Sequence, residues 1–197
     1  MTTNACGLWT ADGCDGTPYC PPRCPQFVDR DGDAYLILPL EDEGVDVLVS
    51  MYRTFDPGSR AMGLPPLAES AIRDWLERSH DRGTNLVAWT RDRDRIAGHV
   101  GYVPDGDPAP ELLVYVHQEF HGRGLGTELV THAIAHAAAT GRERLVLYVD
   151  GRNKPAVAVY RKLGFEVVDR HAGELEMHLP LSSPIADDAQ LAPAARA

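Results

Sequence analysis

Lysine is nearly missing from this chain: of 19 basic residues in 197, only Lys154 and Lys162 are lysine, and the others are arginine. Acidic residues number 29, which leaves a formal net charge of -10. A surface this acidic argues against non-specific nucleic-acid binding. The acidic balance suits cationic acceptors where it gathers at a site, and it equally suits a high-salt cytoplasm or a GC-rich genome. Long apolar runs are also lacking. None approaches a membrane span, and the opening MTTNACGLWTADG has neither a basic start nor an apolar signal core. These absences predict a cytoplasmic protein without a membrane partner. Cysteine is absent after residue 24, and all four cysteines, Cys6, Cys14, Cys20 and Cys24, lie among Gly, Pro and Asp. With no signal peptide a disulfide framework is disfavoured, whereas four thiolates in a small loop-rich segment suit a tetrahedral structural zinc. No C-x2-C pair is present, so the segment is no standard ribbon or finger. Unligated thiols, a disulfide or an iron–sulfur arrangement are the other readings.

What is present divides the chain into three. Residues 1–33 form a Cys-rich segment of little periodicity, a knuckle around metal or a flexible arm, ending in DRDGD, which is too short and wrongly spaced for a calcium loop. Residues 34–181 carry the periodic patterns of one domain. The Ala-, Pro- and Asp-rich residues 182–197 show no core pattern, which predicts a mobile tail. Within the domain, AYLILPL reads as a first strand, and Val45, Leu48, Val49 and Tyr52 recur at helical spacing. Ala68, Ile72, Trp75 and Leu76 mark a second helix; NLVAW and RIAGHVGYV read as a hairpin. FEVVDR and ELEMHL close the pattern, the latter alternating Leu175, Met177 and Leu179 with Glu176 and His178. The order implies an α/β (α+β) domain with a mixed sheet and helices on both faces.

The chain is organised around residues 111–165. A strand, ELLVYV, is followed by HQEFHGRGLG and a helical pattern, so glycines 122, 124 and 126 lie between strand and helix. There they let main-chain N–H groups converge on a phosphate at the positive end of a helix. No Lys-Ser/Thr pair follows the last glycine, and the spacing is not the dinucleotide fingerprint, so neither of those sites is built. In the helix, Leu125, Leu129, Ala133 and Ala137 form one face, and Glu128, His132 and His136 are expected to form a solvated one. After a second strand, RLVLYV, comes RNKPAVAVYRKLGF, in which Asn153 can cap a helix, Pro155 suits its first turn and Gly164 its end.

His121 to Gly126 resembles the pyrophosphate-binding signature of the GCN5-related N-acetyltransferases, with His121 where that family usually carries Gln or Arg. Asn153, Ala156 and Tyr160, followed by KLGFE, resemble its second motif, and the likeness covers about residues 35–180. The resemblance implies that family's fold, a mostly antiparallel sheet whose strands splay beside the glycine turn. It implies acetyl-CoA as cosubstrate, with the backbone along Val114, Tyr115 and Val116 pairing with the pantetheine arm. The diphosphate would rest on His121, Gly122, Arg123, Gly124, Leu125, Gly126 and Thr127. Asn153 and Ala156 would hold pantetheine, and Tyr160 would protonate the departing CoA sulfur. Glu111, which opens its strand ten residues before His121, resembles in position the essential glutamate of the bacterial protein lysine acetyltransferases of the Pat group, to which TFDPGSRAMG and the following hairpin are also similar, and the resemblance makes it the candidate general base. An amine near pKa 10.4 arrives charged and needs such a base; a solvated strand-end charge is the alternative for Glu111. The acceptor is therefore expected to be a primary amine, a protein lysine first and a small-molecule amine or amino acid second. A non-catalytic acyl-CoA-binding module is the third reading, and the oligomeric state is left open.

Overall fold

The computed structural model describes residues 14–16, 20, 22–56, 58, 66–104 and 106–196. In chain order these form β1 (Gln26–Val28), β2 (Ala34–Pro39), α1 (Asp42–Arg53), α2 (Glu69–Arg82), β3 (Thr84–Thr90), β4 (Ile96–Val103) and β5 (Glu111–Val116). There follow α3 (Leu125–Ala139), β6 (Arg144–Asp150), α4 (Lys154–Lys162), β7 (Glu166–His171), β8 (Glu174–Pro180) and α5 (Pro184–Ala189). The eight strands make one sheet in the order β1-β2-β3-β4-β5-β6-β8-β7. β5 and β6 run parallel and every other neighbouring pair is antiparallel. This is the mixed, mostly antiparallel sheet that the sequence pattern implies.

Alternation along each strand decides which helix covers which face. Leu86, Ala88, Val100 and Leu112 pack with Leu129, Ala133 and Ile134 of α3, and with Val157 and Tyr160 of α4. Their neighbours Val87 and Tyr115 point to the other face, against Leu48 and Tyr52 of α1 and Ile72 and Leu76 of α2. Each of these fully buried aliphatic side chains contributes about 1.5–3 kcal/mol. Asp42 and Glu43 stand in the first turn of α1 and Arg53 in its last, so charges at both ends complement the helix dipole. α4 is bounded by the only two lysines in the chain, both exposed.

Three expectations are corrected here. The segment before residue 34 is not uniformly irregular: Gln26, Phe27 and Val28 pair with Leu36, Tyr35 and Ala34 and extend the sheet. Three residues are too few to show a period, and their pairing is supplied by β2. The residues after Ser182 include α5, whose Ala186 and Ala189 are buried against the α3 side of the core, so that part of the tail is packed. Small alanines permit that close approach without leaving a conspicuous hydrophobic pattern. The face carrying Glu128 and His132 is not solvated: residues 23–33 run over it, and His132 is buried. No helix among the described residues is long and apolar enough to cross a membrane.

Candidate active site

The opening in the sheet comes first. β5 and β6 share the register pair Glu111–Val146 and no further one toward Val116. Parallel strands joined at one end only must diverge, which leaves a cleft along the β6 side of Val114 and Val116. On its other side β5 keeps a full ladder with β4, from Val103–Glu111 to Gly98–Val116.

At the wide end of the cleft lies the glycine turn. Gly122 and Gly124 have φ of 78° and 99°, left-handed values that a side chain would strain, and Gly124 is the N-cap of α3. The amides of the first turn of α3 therefore leave the turn pointing out of the helix end. His121 is exposed, and its Nε2–H donates to the carbonyl of Val116 across 2.8 Å. That carbonyl, expected to pair with pantetheine, already has a partner. Arg123 is tied elsewhere too: its Nη1 lies 2.8 Å from Asp33 Oδ2, and its Nε lies 3.2 Å from Asp31 Oδ2.

Across the cleft, Asn153 caps α4 with its Oδ1 accepting from the amide of Ala156 at 3.2 Å. The capping reading of Asn153 is thus realised, and its side-chain oxygen is occupied in that role. Tyr160, 9% exposed, comes from the core face of α4 with its ring 5.8 Å from that of Phe165. Burial pushes its hydroxyl up to about 12, so at neutral pH it keeps its proton and can give it away.

Glu111, Leu113 and Tyr115 share the face of β5 turned toward α1 and α2. Burial, joined by the nearby Glu174, raises the Glu111 carboxyl above the usual carboxylate range. That moves it toward the pH at which a base works best. Tyr115 is raised likewise, by burial first and then by Tyr160 and Glu111. Sequence reasoning used only the backbone of Tyr115. The alternation of Glu111, Leu113 and Tyr115 was the signal that could have singled out its side chain.

Beneath Tyr115 lies a buried polar chain. Tyr52 donates its hydroxyl to His99 Nδ1 at 2.6 Å, and His99 Nε2–H donates to Asn85 Oδ1 at 3.0 Å. Asn85 in turn donates to the carbonyl of Ser79 at 3.0 Å. Every link is between neutral groups, and burial lowers His99 to about 3, in keeping with an uncharged ring. The rings of Tyr52 and Tyr115 meet edge to face at 5.6 Å, so this chain fixes the ring that buttresses Tyr115.

The described cysteines lie in the segment before β1. Cys14, Cys20 and Cys24 are not in disulfides, Cys24 is 6% exposed, and burial raises its thiol. Cys6 lies outside the described residues. Among the described residues no group of three or more His, Cys, Asp or Glu is arranged to hold a metal, so the zinc expectation finds no support.

Comparison with known proteins adds the following. The family model described as "Acetyltransferase (GNAT) family" matches residues 46–165. The mycothiol acetyltransferase of Saccharomonospora viridis is 31% identical over 157 residues, 75% of this chain and 49% of that protein. That of Thermobifida fusca is 34% identical over 120 residues, covering 56% of this chain and 36% of that protein. The chain spans about half or less of the length of these relatives. Among solved structures, the GNAT domain of S. lividans PAT superposes with a TM-score of 0.69 at 20% identity, covering 79% of this chain and 95% of that one. A spermidine N-acetyltransferase from Vibrio cholerae, in complex with CoA and spermine, gives 0.64 at 16% identity, covering 75% and 96%. At such identities both likenesses concern the fold alone.

Proposed function

This chain belongs to the GNAT acetyltransferase family, and from that premise we propose that it transfers the acetyl group of acetyl-CoA to the primary amine of a small molecule. The observation that carries the reading is the parting of β5 from β6 beside a left-handed glycine turn at the N-terminus of α3. Such a cleft accepts an extended amide-bearing arm, and the turn accepts a diphosphate. The choice of a small amine is supported by the curated relatives, which are named as mycothiol acetyltransferases.

In this reading Glu111 takes the proton from the ammonium, and the amine nitrogen attacks the thioester carbonyl. The tetrahedral centre collapses with cleavage of the carbon–sulfur bond, and Tyr160 gives its proton to the departing thiolate. The proton left on the attacking nitrogen passes to Tyr160 as the amide forms, and Glu111 releases its own to solvent, so both groups end as they began. The raised Glu111 and the protonated Tyr160 suit these roles. Asn153 and Ala156, at the start of α4, are assigned to the pantetheine arm in the same reading.

The test is incubation with acetyl-CoA and a mixed panel of small amines and lysine peptides, with products followed by mass. A thiol-reactive dye would also report the chain's own cysteines. Acetylated small amines with untouched peptides are the expected result. Acetylated peptides alone would replace the acceptor with protein lysine, and CoA binding without any product would replace the enzyme with a binding module.

A further inference from the structure

Residues 23–33 form a strap that touches the cofactor turn and the first turns of α3 at five points. Arg23 makes a two-pronged contact with Glu128, at 2.8 and 3.2 Å, and donates to the carbonyl of Ala189 at 2.8 Å. One turn further along α3, His132 Nε2–H donates to the carbonyl of Cys24 at 3.0 Å. Phe27 lies beside Gly124, 3.7 Å from where a Cβ would stand. The amide of Arg30 donates to the carbonyl of Arg123 at 3.2 Å. The guanidinium of Arg123 lies against Asp31 and Asp33 as described, and 3.7 Å from Asp29. Asp29 in turn builds the acidic bend: its Oδ1 accepts from the amides of Asp31 and Asp33, both at 2.9 Å, and its Oδ2 accepts from the Tyr35 hydroxyl at 3.0 Å. The strap lies wholly outside residues 46–165, the stretch that matches the family model.

The consequence is local and specific. Arg123 stands between two glycines in left-handed conformations, where the chain has the most freedom to lose. Its carbonyl and its guanidinium are both held by the bend, so the amides on either side are held in direction. A donor array that is already ordered binds an anion without the ordering cost that a loose one incurs.

We infer that the acidic bend is a positioning element for the diphosphate turn, and that Asp31 and Asp33 determine cofactor affinity through Arg123. This rests on the reading of the turn as the CoA diphosphate site. Asp31 and Asp33 are exposed and Asp29 is buried, so Asp31→Asn with Asp33→Asn tests the idea without disturbing the bend itself.

The experiment is calorimetric titration with CoA of four proteins: wild type, Asp31→Asn/Asp33→Asn, Arg123→Gln, and all three substitutions together. Two exposed ion pairs predict a loss of affinity of roughly two- to fivefold in the double variant. Because the aspartates act through Arg123, the triple variant is expected to bind as Arg123→Gln does, without further loss. Unfolding midpoints of the four should lie close together, which separates positioning from general destabilisation. Unchanged or tighter binding in the double variant overturns the inference, as do losses that simply add. Absence of CoA binding to the wild type overturns the cofactor reading as well, a result distinct from the other two.

Discussion

Glu111 stands opposite Val146, and at that pair the parallel contact between β5 and β6 ends. The last point of pairing and the first residue of the cleft therefore coincide with the one carboxylate on β5. A carboxylate placed there is near enough to the sheet core to be raised by burial, and in the proposed reaction it is the group that would meet the amine at the opening.

Glu111→Gln is accordingly expected to lower kcat by about 10²–10³. The wild-type rate should rise with pH as Glu111 deprotonates, along a limb displaced above the ordinary carboxylate range because the folded carboxyl is raised. The Gln variant should lose that limb. A pH profile of kcat for the two proteins checks both statements, and an unaltered maximal rate removes Glu111 as the base.

Tyr160→Phe keeps the ring against Phe165 and removes only the hydroxyl. We expect kcat to fall by about 10²-fold, with the KM for acetyl-CoA changed little. Replacing acetyl-CoA by a thioester with a more acidic leaving thiol should recover part of the lost rate. Failure of that recovery would separate Tyr160 from the thiolate.

The local frame of the candidate site was legible in the sequence because short-range spacing encodes it. The Asn153 cap, the Gly122 and Gly124 turn and the alternation of β5 are all set by neighbours within a few residues. What was not legible is non-local. Glu128 and His132 sit at positions that would be solvated on a bare helix, and only the return of Arg23 and Cys24, more than 100 residues away in sequence, covers them. Residues 26–28 gain their strand from β2, and α5 gains its place from α3. The zinc reading of the cysteine cluster finds no support among the described residues, where closeness in sequence does not bring the thiols into a metal-binding arrangement.

His99 provides a pH test of stability. Its ring is held neutral with a folded value of about 3, below the ordinary histidine value, so the unfolded chain binds the extra proton first. Stability is therefore retained above about pH 6.5 and falls as the pH drops toward 3, by about 1.4 kcal/mol per unit for this group. Urea unfolding at pH 7 and pH 5 should show the decline. The decline should be shallower in His99→Gln, by about 2 kcal/mol across that interval.

Gly98 marks a close approach in the core. A Cβ there would stand 2.7 Å from Leu129 Cδ1 and 3.0 Å from the carbonyl of Tyr115. Gly98→Ala should displace the Leu129 side chain and crowd the β5 backbone at Tyr115, at a cost of about 1–3 kcal/mol measured by denaturant unfolding. The same shift moves the strand that carries Tyr115, so CoA binding is expected to weaken along with stability.

α4 opens on Lys154 and closes on Lys162, and no other lysine exists in the chain. A protein that uses an acylating thioester is exposed to its reagent, and stable amide adducts on its side chains form at lysine amines. Here every such side-chain adduct must lie at one end or the other of a single nine-residue helix bordering the cleft. In an intact-mass spectrum, then, lysine acetylation can add at most two increments, and a single tryptic map of α4 tells chemical background from turnover.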